Sequence, residues 1–219
     1  MLLTEIKELL KKEILLEWRQ KFAINGIFLY VISTVFVCYL SFRIIDHPAT
    51  WNALFWIIIL FASTNAVSKS FIQESTGKLL YLYTLASPQA IILSKIIYNM
   101  LLVMVLSMIT YVFYSLFIGN LVQNQLLFVS SILLGSIGFS TVLTMVSAIA
   151  SKTNNNVTLM AVLSFPVLMP LIITLLKVSK NAVDGIDPSI SYKYLAVLLF
   201  INIIVSTLSY LLFPYLWRD

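Results

Sequence analysis

A single cysteine, a single histidine and charges on only 11% of 219 residues remove most catalytic chemistries at the outset. Cys38 has no partner, so neither an intrachain disulfide nor a metal-thiolate cluster can form. No GxxxxGK[ST] loop occurs, so the chain lacks the glycine-rich cradle that holds nucleotide phosphates. HExxH and CxxC are also missing. The acidic residues lie outside the long apolar runs, which removes the paired intramembrane carboxylates of a proton relay and argues against an ion-coupled pump. Soluble domains carry about 25% charged residues; this chain is 60% hydrophobic, with a mean hydropathy of +0.98.

Those values describe an integral membrane protein. A helical crossing needs roughly 20 predominantly apolar residues, and lipid forces backbone groups to pair within the segment. The apolar runs are too long for the alternating strands of about ten residues that build a barrel. The expectation is an all-α bundle, one domain over 1–219, with six spans near 22–42, 52–69, 96–118, 126–150, 157–177 and 194–216. The first span is expected to stay as an anchor: charged, amphipathic residues precede it, and it is too long for the apolar core of a signal peptide.

The formal net charge of +5 is a topology signal and not a nucleic-acid signal, because Lys and Arg stand beside apolar spans. Six crossings put both termini on one side. Lys7, Lys11, Lys12, Arg19, Lys21, Lys69, Lys78, Lys95, Lys152 and Arg218 fall on that side, and Arg43, Lys177, Lys180 and Lys193 on the other. The excess of basic residues makes the first side cytoplasmic.

Residues 1–21 read as an interfacial helix: Ile6, Leu9, Leu10, Ile14 and Trp18 recur at spacings of three or four among charges, with Trp18 suited to headgroup depth. It serves as an anchor, or as an elbow that borders a cytoplasmic partner. Residues 70–95 combine charges, a Gly, a Pro and amphipathic spacing between two spans. Glu74 and Lys78 are spaced to pair on a helix, Leu79, Leu82 and Leu85 offer apolar knobs, and Ser87-Pro88 breaks the helix. A short surface helix, a turn and a second helix entering span three should result. The segment is a passive linker or a coupling helix that a soluble partner can grasp.

Other features have plain and sharper readings. Ser136, Ser140, Thr144 and Ser147 share a face of span four with Gly135 and Gly138 nearby; small residues let helices approach closely, within this chain or at a homodimer seam. Pro166 and Pro170 lie four apart in span five and weaken that helix, as a packing kink or as a hinge. His47 beside Pro48 invites the thought of a haem ligand, but one loop histidine reads as a surface residue. Asn156-Val157-Thr158 matches a glycosylation sequon on the side expected to be cytoplasmic and is set aside.

Leu16-Glu17-Trp18-Arg19, Trp51-Asn52-Ala53-Leu54-Phe55-Trp56, Phe71-Ile72-Gln73-Glu74 through Leu85-Ala86-Ser87-Pro88, and Phe165-Pro166 together resemble the cytochrome c maturation protein B family, also called haem exporter protein B. The resemblance covers nearly the whole chain. It implies an ABC-2-like permease of the bacterial inner membrane, without catalytic or metal residues or an intrinsic cofactor. Haem would be handled by the complex, and ATP would be bound by a separate ABC subunit. Other partners would be haem-handling membrane proteins of cytochrome c maturation, with a second copy making a homodimer. The residues matching the ATPase-facing segment are Glu74, Gly77, Leu82, Leu85, Ser87 and Pro88; Lys78 joins them through its spacing from Glu74. Leu80 stands where the family pattern carries an acid. The alternatives are a generic ABC-2 exporter permease for a lipid, glycan or drug, and a non-transporting membrane scaffold.

Overall fold

The computed structural model describes residues 2–19, 21–42, 45–72, 85–152 and 156–218. Within them the chain forms seven helices: α1 (Leu2–Arg19), α2 (Lys21–Phe42), α3 (Pro48–Ile72), α4 (Pro88–Phe117), α5 (Gln125–Ala150), α6 (Asn156–Val183) and α7 (Pro188–Arg218). Six of them, α2 to α7, are long and apolar enough to cross a membrane. Both ends of the chain therefore share one end of the bundle, called basal below. α4 has 30 residues, about 45 Å at 1.5 Å per residue. It exceeds the roughly 30 Å hydrocarbon layer, so one or both of its ends project into the interface.

α5 is the central post, packed against α3, α4, α6 and α7. Its small side chains make that possible. A Cβ on Gly135 would come 2.9 Å from the Trp56 ring, and one on Gly138 would come 2.5 Å from Leu171 and 2.7 Å from Asn202 Oδ1. Ser136, Ser140, Thr144 and Ser147 are fully covered by this chain's own helices. Most of their polarity is spent inside α5: Ser136 donates to the Ile132 carbonyl, Ser140 to Ile137 and Thr144 to Ser140.

The far end is closed by aromatic packing. Trp51, Phe55, Tyr114 and Phe128 stack or meet edge to face with centroids 4.9–5.9 Å apart. A buried indole N–H needs an acceptor. Trp51 donates to the Gly119 carbonyl at 2.9 Å, and Trp56 donates to Ser179 Oγ at 2.7 Å. The Tyr114 hydroxyl returns a bond to the Trp51 carbonyl at 3.0 Å. Gly119, at φ 101°, lets the chain leave α4 in a conformation other residues rarely adopt.

The spans expected near 157–177 and 194–216 leave a long outer connection between them, and the structure makes it much shorter. α6 continues to Val183 and α7 begins at Pro188, leaving a turn through Gly185 at φ 68°. Asp187 accepts from the Ser189 amide at 3.0 Å, capping α7 just before a proline that needs no donor. Hydrogen bonds from Ser189 hold its carboxyl below the ordinary range. Lys177 and Lys180 consequently stand on the last turns of a helix and not in a loop.

Candidate functional site

The polar side chains of the basal end converge where α1, α3, α4 and α5 meet, at both roots of the 73–84 segment. α3 enters that segment at Ile72, and the chain returns through Leu85 into α4, whose first residue is Pro88. Ser87 is extended at φ −68°, ψ 142°, the conformation that a following proline favours. The second helix expected to enter span three is thus the first turns of α4 itself.

α1 presents three carboxylates to α4. Glu5 Oε2 accepts from the Ser87 hydroxyl at 2.7 Å and from its amide at 3.0 Å. Glu13 Oε1 lies 3.4 Å from Lys95 Nζ, and Glu17 hydrogen-bonds Tyr98. Positions 5, 13 and 17 meeting 87, 95 and 98 in the same order make α1 run in the same direction as the start of α4. The two hydrogen bonds from Ser87, the hydroxyl's first, hold the Glu5 carboxyl below its usual range. The Ser87 side chain, which would ordinarily cap its own helix, serves α1 instead.

Lys95 is the centre of the cluster and only 2% exposed. A buried ammonium is tolerated only when paired and hydrogen-bonded. Besides Glu13 it donates to the Ser70 carbonyl at 2.6 Å, and it sits 4.7 Å from the centroid of the Phe71 ring. The last turn of α3 leaves carbonyls without helical donors, and Lys95 takes one of them. One turn along α4, Asn99 Nδ2 donates to Ser70 Oγ at 3.1 Å and to Thr144 Oγ1 at 2.8 Å. Ser147 reaches the Ser68 carbonyl at 3.4 Å. Beneath this layer, Phe71, Ile91, Ile92, Ile96, Ala148 and Phe213 form a separate apolar cluster.

The residues singled out from the sequence fall as follows. Glu74, Gly77, Lys78 and Leu82 lie outside the described residues. Leu85 is 60% exposed, while Ser87 and Pro88 are partly covered at the root of α4. Thr144 and Ser147 join the basal cluster; Ser136 meets Ser107 at 3.4 Å deeper in the bundle, and Ser140 is buried beside it. Pro166 and Pro170 face outward on α6, which stays helical through both. His47 is exposed between α2 and α3. Sequence reasoning missed Glu5, Glu13, Ser70, Lys95 and Asn99 as a unit. The available signal was Lys95 itself, a charge two residues after the apolar run Ala90–Leu93, where burial demands a partner.

No group of three metal-ligating residues occurs among the described residues. What the arrangement can do is mechanical: both roots of the 73–84 segment are tied to each other, to α1 and to the central post. Residues 4–212 match the family model described as CcmB protein, nearly the whole chain. A search of curated proteins finds no match.

Proposed function

The chain belongs to the CcmB protein family, and from that membership we propose that it is the permease subunit of an ABC complex in cytochrome c maturation. It couples ATP hydrolysis by a separate subunit to haem export or to release of a haem-loaded chaperone. Haem is cargo of the complex and ATP belongs to the partner. The family and the six apolar helices support a multi-pass protein of the bacterial inner membrane, and the basic residues of the basal end favour a cytoplasmic position for it and for both termini.

The observation that supports coupling is the double anchoring of the 73–84 segment. A push on it reaches the last turn of α3 and the first turns of α4 together, because Lys95 and Asn99 both grip Ser70. Asn99 passes the displacement to Thr144 on α5, which contacts α3, α4, α6 and α7. Contiguous packed and hydrogen-bonded groups of this kind can carry a two-state movement. ATP does work through them only by favouring one state over the other. In this reading Glu74, Gly77, Lys78, Leu82 and Leu85 meet the ATPase, Ser87 and Pro88 form the root, and a second copy completes the pathway around two ATPase subunits.

The test is co-purification from native membranes with mass spectrometry of bound proteins and haem, comparing the natural chain with Glu74→Ala/Leu82→Asp. The expected result is an ATP-binding subunit and haem-handling proteins with the former, and loss of the ATPase with the latter. An ATPase accompanied by glycan or lipid enzymes would identify a generic exporter. An ATPase retained by the variant would remove the segment from the interface, and no ATPase in either sample would leave a scaffold.

A further inference from the structure

A second basal feature lies farther along α4 than Lys95. α1, α2 and α4 leave between them an apolar cavity of about 220 Å³. Ile14 of α1, Ile27 and Phe28 of α2, and Leu102, Val105 and Leu106 of α4 line it, with Tyr98 at its basal mouth. From Tyr98 to Leu106 it follows α4 for roughly 12 Å. It is an open groove whose outer lip is lined by half-exposed side chains, Ile14 at 50% and Val105 at 51%.

Most charges of α1 are sorted around this groove; the exceptions are Glu8, exposed next to Lys7, and Lys12, which pairs with Glu13. Glu5, Glu13 and Glu17 turn toward α4, where Ser87, Lys95 and Tyr98 engage them. Lys7 and Lys11 remain exposed, and no ion pair among the described residues takes them up. Lys7, Lys11 and Ile14 are spaced i, i+4 and i+7, so they share one stripe of the helix. Because α1 runs in the direction of α4, that stripe passes from two free ammonium groups to the mouth of the groove and on into its apolar floor.

We propose that this is a binding site for an anionic phospholipid, the headgroup phosphate resting on Lys7 and Lys11 and one acyl chain lying in the groove along Tyr98–Leu106. The order of chemistry along the site, cation then apolar trough, matches a lipid whose headgroup sits at the basal interface and whose chain points toward the bilayer centre. Free ammonium groups at the membrane surface attract anionic headgroups, and an apolar trough open to the bilayer suits a chain. Apart from Tyr98, which Glu17 engages, the site uses none of the residues of the proposed coupling path, so it stands or falls independently of that role.

The test uses the full chain, purified in mild detergent, stripped of lipid and titrated with phosphatidylglycerol or phosphatidylcholine under native mass spectrometry. The natural chain is expected to hold one phosphatidylglycerol in preference to phosphatidylcholine. Lys7→Gln/Lys11→Gln should erode that preference by roughly five-fold per lysine while leaving residual binding of both lipids. Val105→Trp fills the trough and should abolish the retained lipid. Val112→Trp, on an equally exposed position of α4 two turns beyond, controls for folding and should leave it in place. Equal retention of the two lipids by the natural chain, or an unchanged adduct in Val105→Trp, overturns the proposal. So does a photo-cross-linker at position 105 that captures a protein, which would make the groove a protein interface.

Discussion

Glu5 and Ser87, 82 positions apart, are joined twice: one carboxylate oxygen accepts both the hydroxyl and the amide of the serine. The pair fixes the first turn of α1 to the root from which α4 rises. Since hydrogen bonding to the ionised form depresses the Glu5 pKa, the contribution is fully present above the ordinary carboxylate value of about 4.3. It is lost as pH falls through the lower value of the folded protein. Hydrogen exchange of α1 amides should therefore show protection that persists from pH 7 to about pH 4.5 and fades below it. Ser87→Ala should remove much of that protection even at pH 7, with the rest of α4 unchanged. Protection indifferent to both changes would mean that α1 is held by its apolar face alone.

Lys95 gives a sharper test, because breaking a buried pair by deleting one partner leaves the other uncompensated. Lys95→Ala strands the Ser70 carbonyl and leaves Glu13 with Lys12 at 3.6 Å, and the cost should be about 3 kcal/mol, read as a lowered midpoint of thermal unfolding in detergent. Glu13→Gln should cost much less, since Glu13 is 16% exposed and the Ser70 bond and the Phe71 ring remain with the ammonium. A double-mutant cycle between positions 13 and 95 isolates the pair; a coupling energy near zero would show that Ser70 and Phe71 alone hold the lysine.

The six crossings were legible because twenty apolar residues in a row admit few alternatives, and the turn at Ser87-Pro88 because proline disfavours helix at the residue before it. The basal cluster was not. Lys95 counted as a topology charge in a loop, and only three-dimensional packing shows it inside, with its acid supplied from α1. Asn52, Asn99 and Asn202 were invisible for a related reason. Each is an uncharged polar residue in a span, and its acceptors, Leu176, Thr144 and Leu134, lie on other helices at separations no local pattern encodes. The length of α6 was misjudged because Lys177 and Lys180 resemble a loop, whereas cations are at home on the last turns of a helix.

The glycines of the spans should separate cleanly by contact. Gly138→Ala drives a methyl group into Leu171 and the Asn202 carbonyl oxygen and should cost about 1–3 kcal/mol, with reduced yield of folded protein. Gly26→Ala on α2 meets nothing within 4 Å, and replacing glycine inside a helix should be neutral or stabilising by up to roughly 1 kcal/mol. Thermal unfolding of the two purified variants side by side is the measurement. Equal tolerance would mean that α5 and α7 have room to separate and that the close approach is not a constraint.

Pro166 and Pro170 allow stability and movement to be pulled apart. Each lacks an amide proton, so the carbonyls of Val162 and Pro166 lose their intrahelical donors, although α6 remains helical across both. Both rings face outward, as do Phe165, Val167 and Met169, whereas Leu168, Leu171 and Leu175 point into the core. Pro166→Ala/Pro170→Ala therefore restores two backbone bonds without touching the packed face, and the unfolding midpoint should hold or rise. If α6 flexes there when ATP drives the complex, output should fall at least several-fold in the same variant, measured as holocytochrome c formed in cells that carry the full maturation system. A stiffer protein with undiminished output would make the prolines a packing feature of α6 and place the moving parts elsewhere, in the basal cluster that Lys95 and Asn99 hold together.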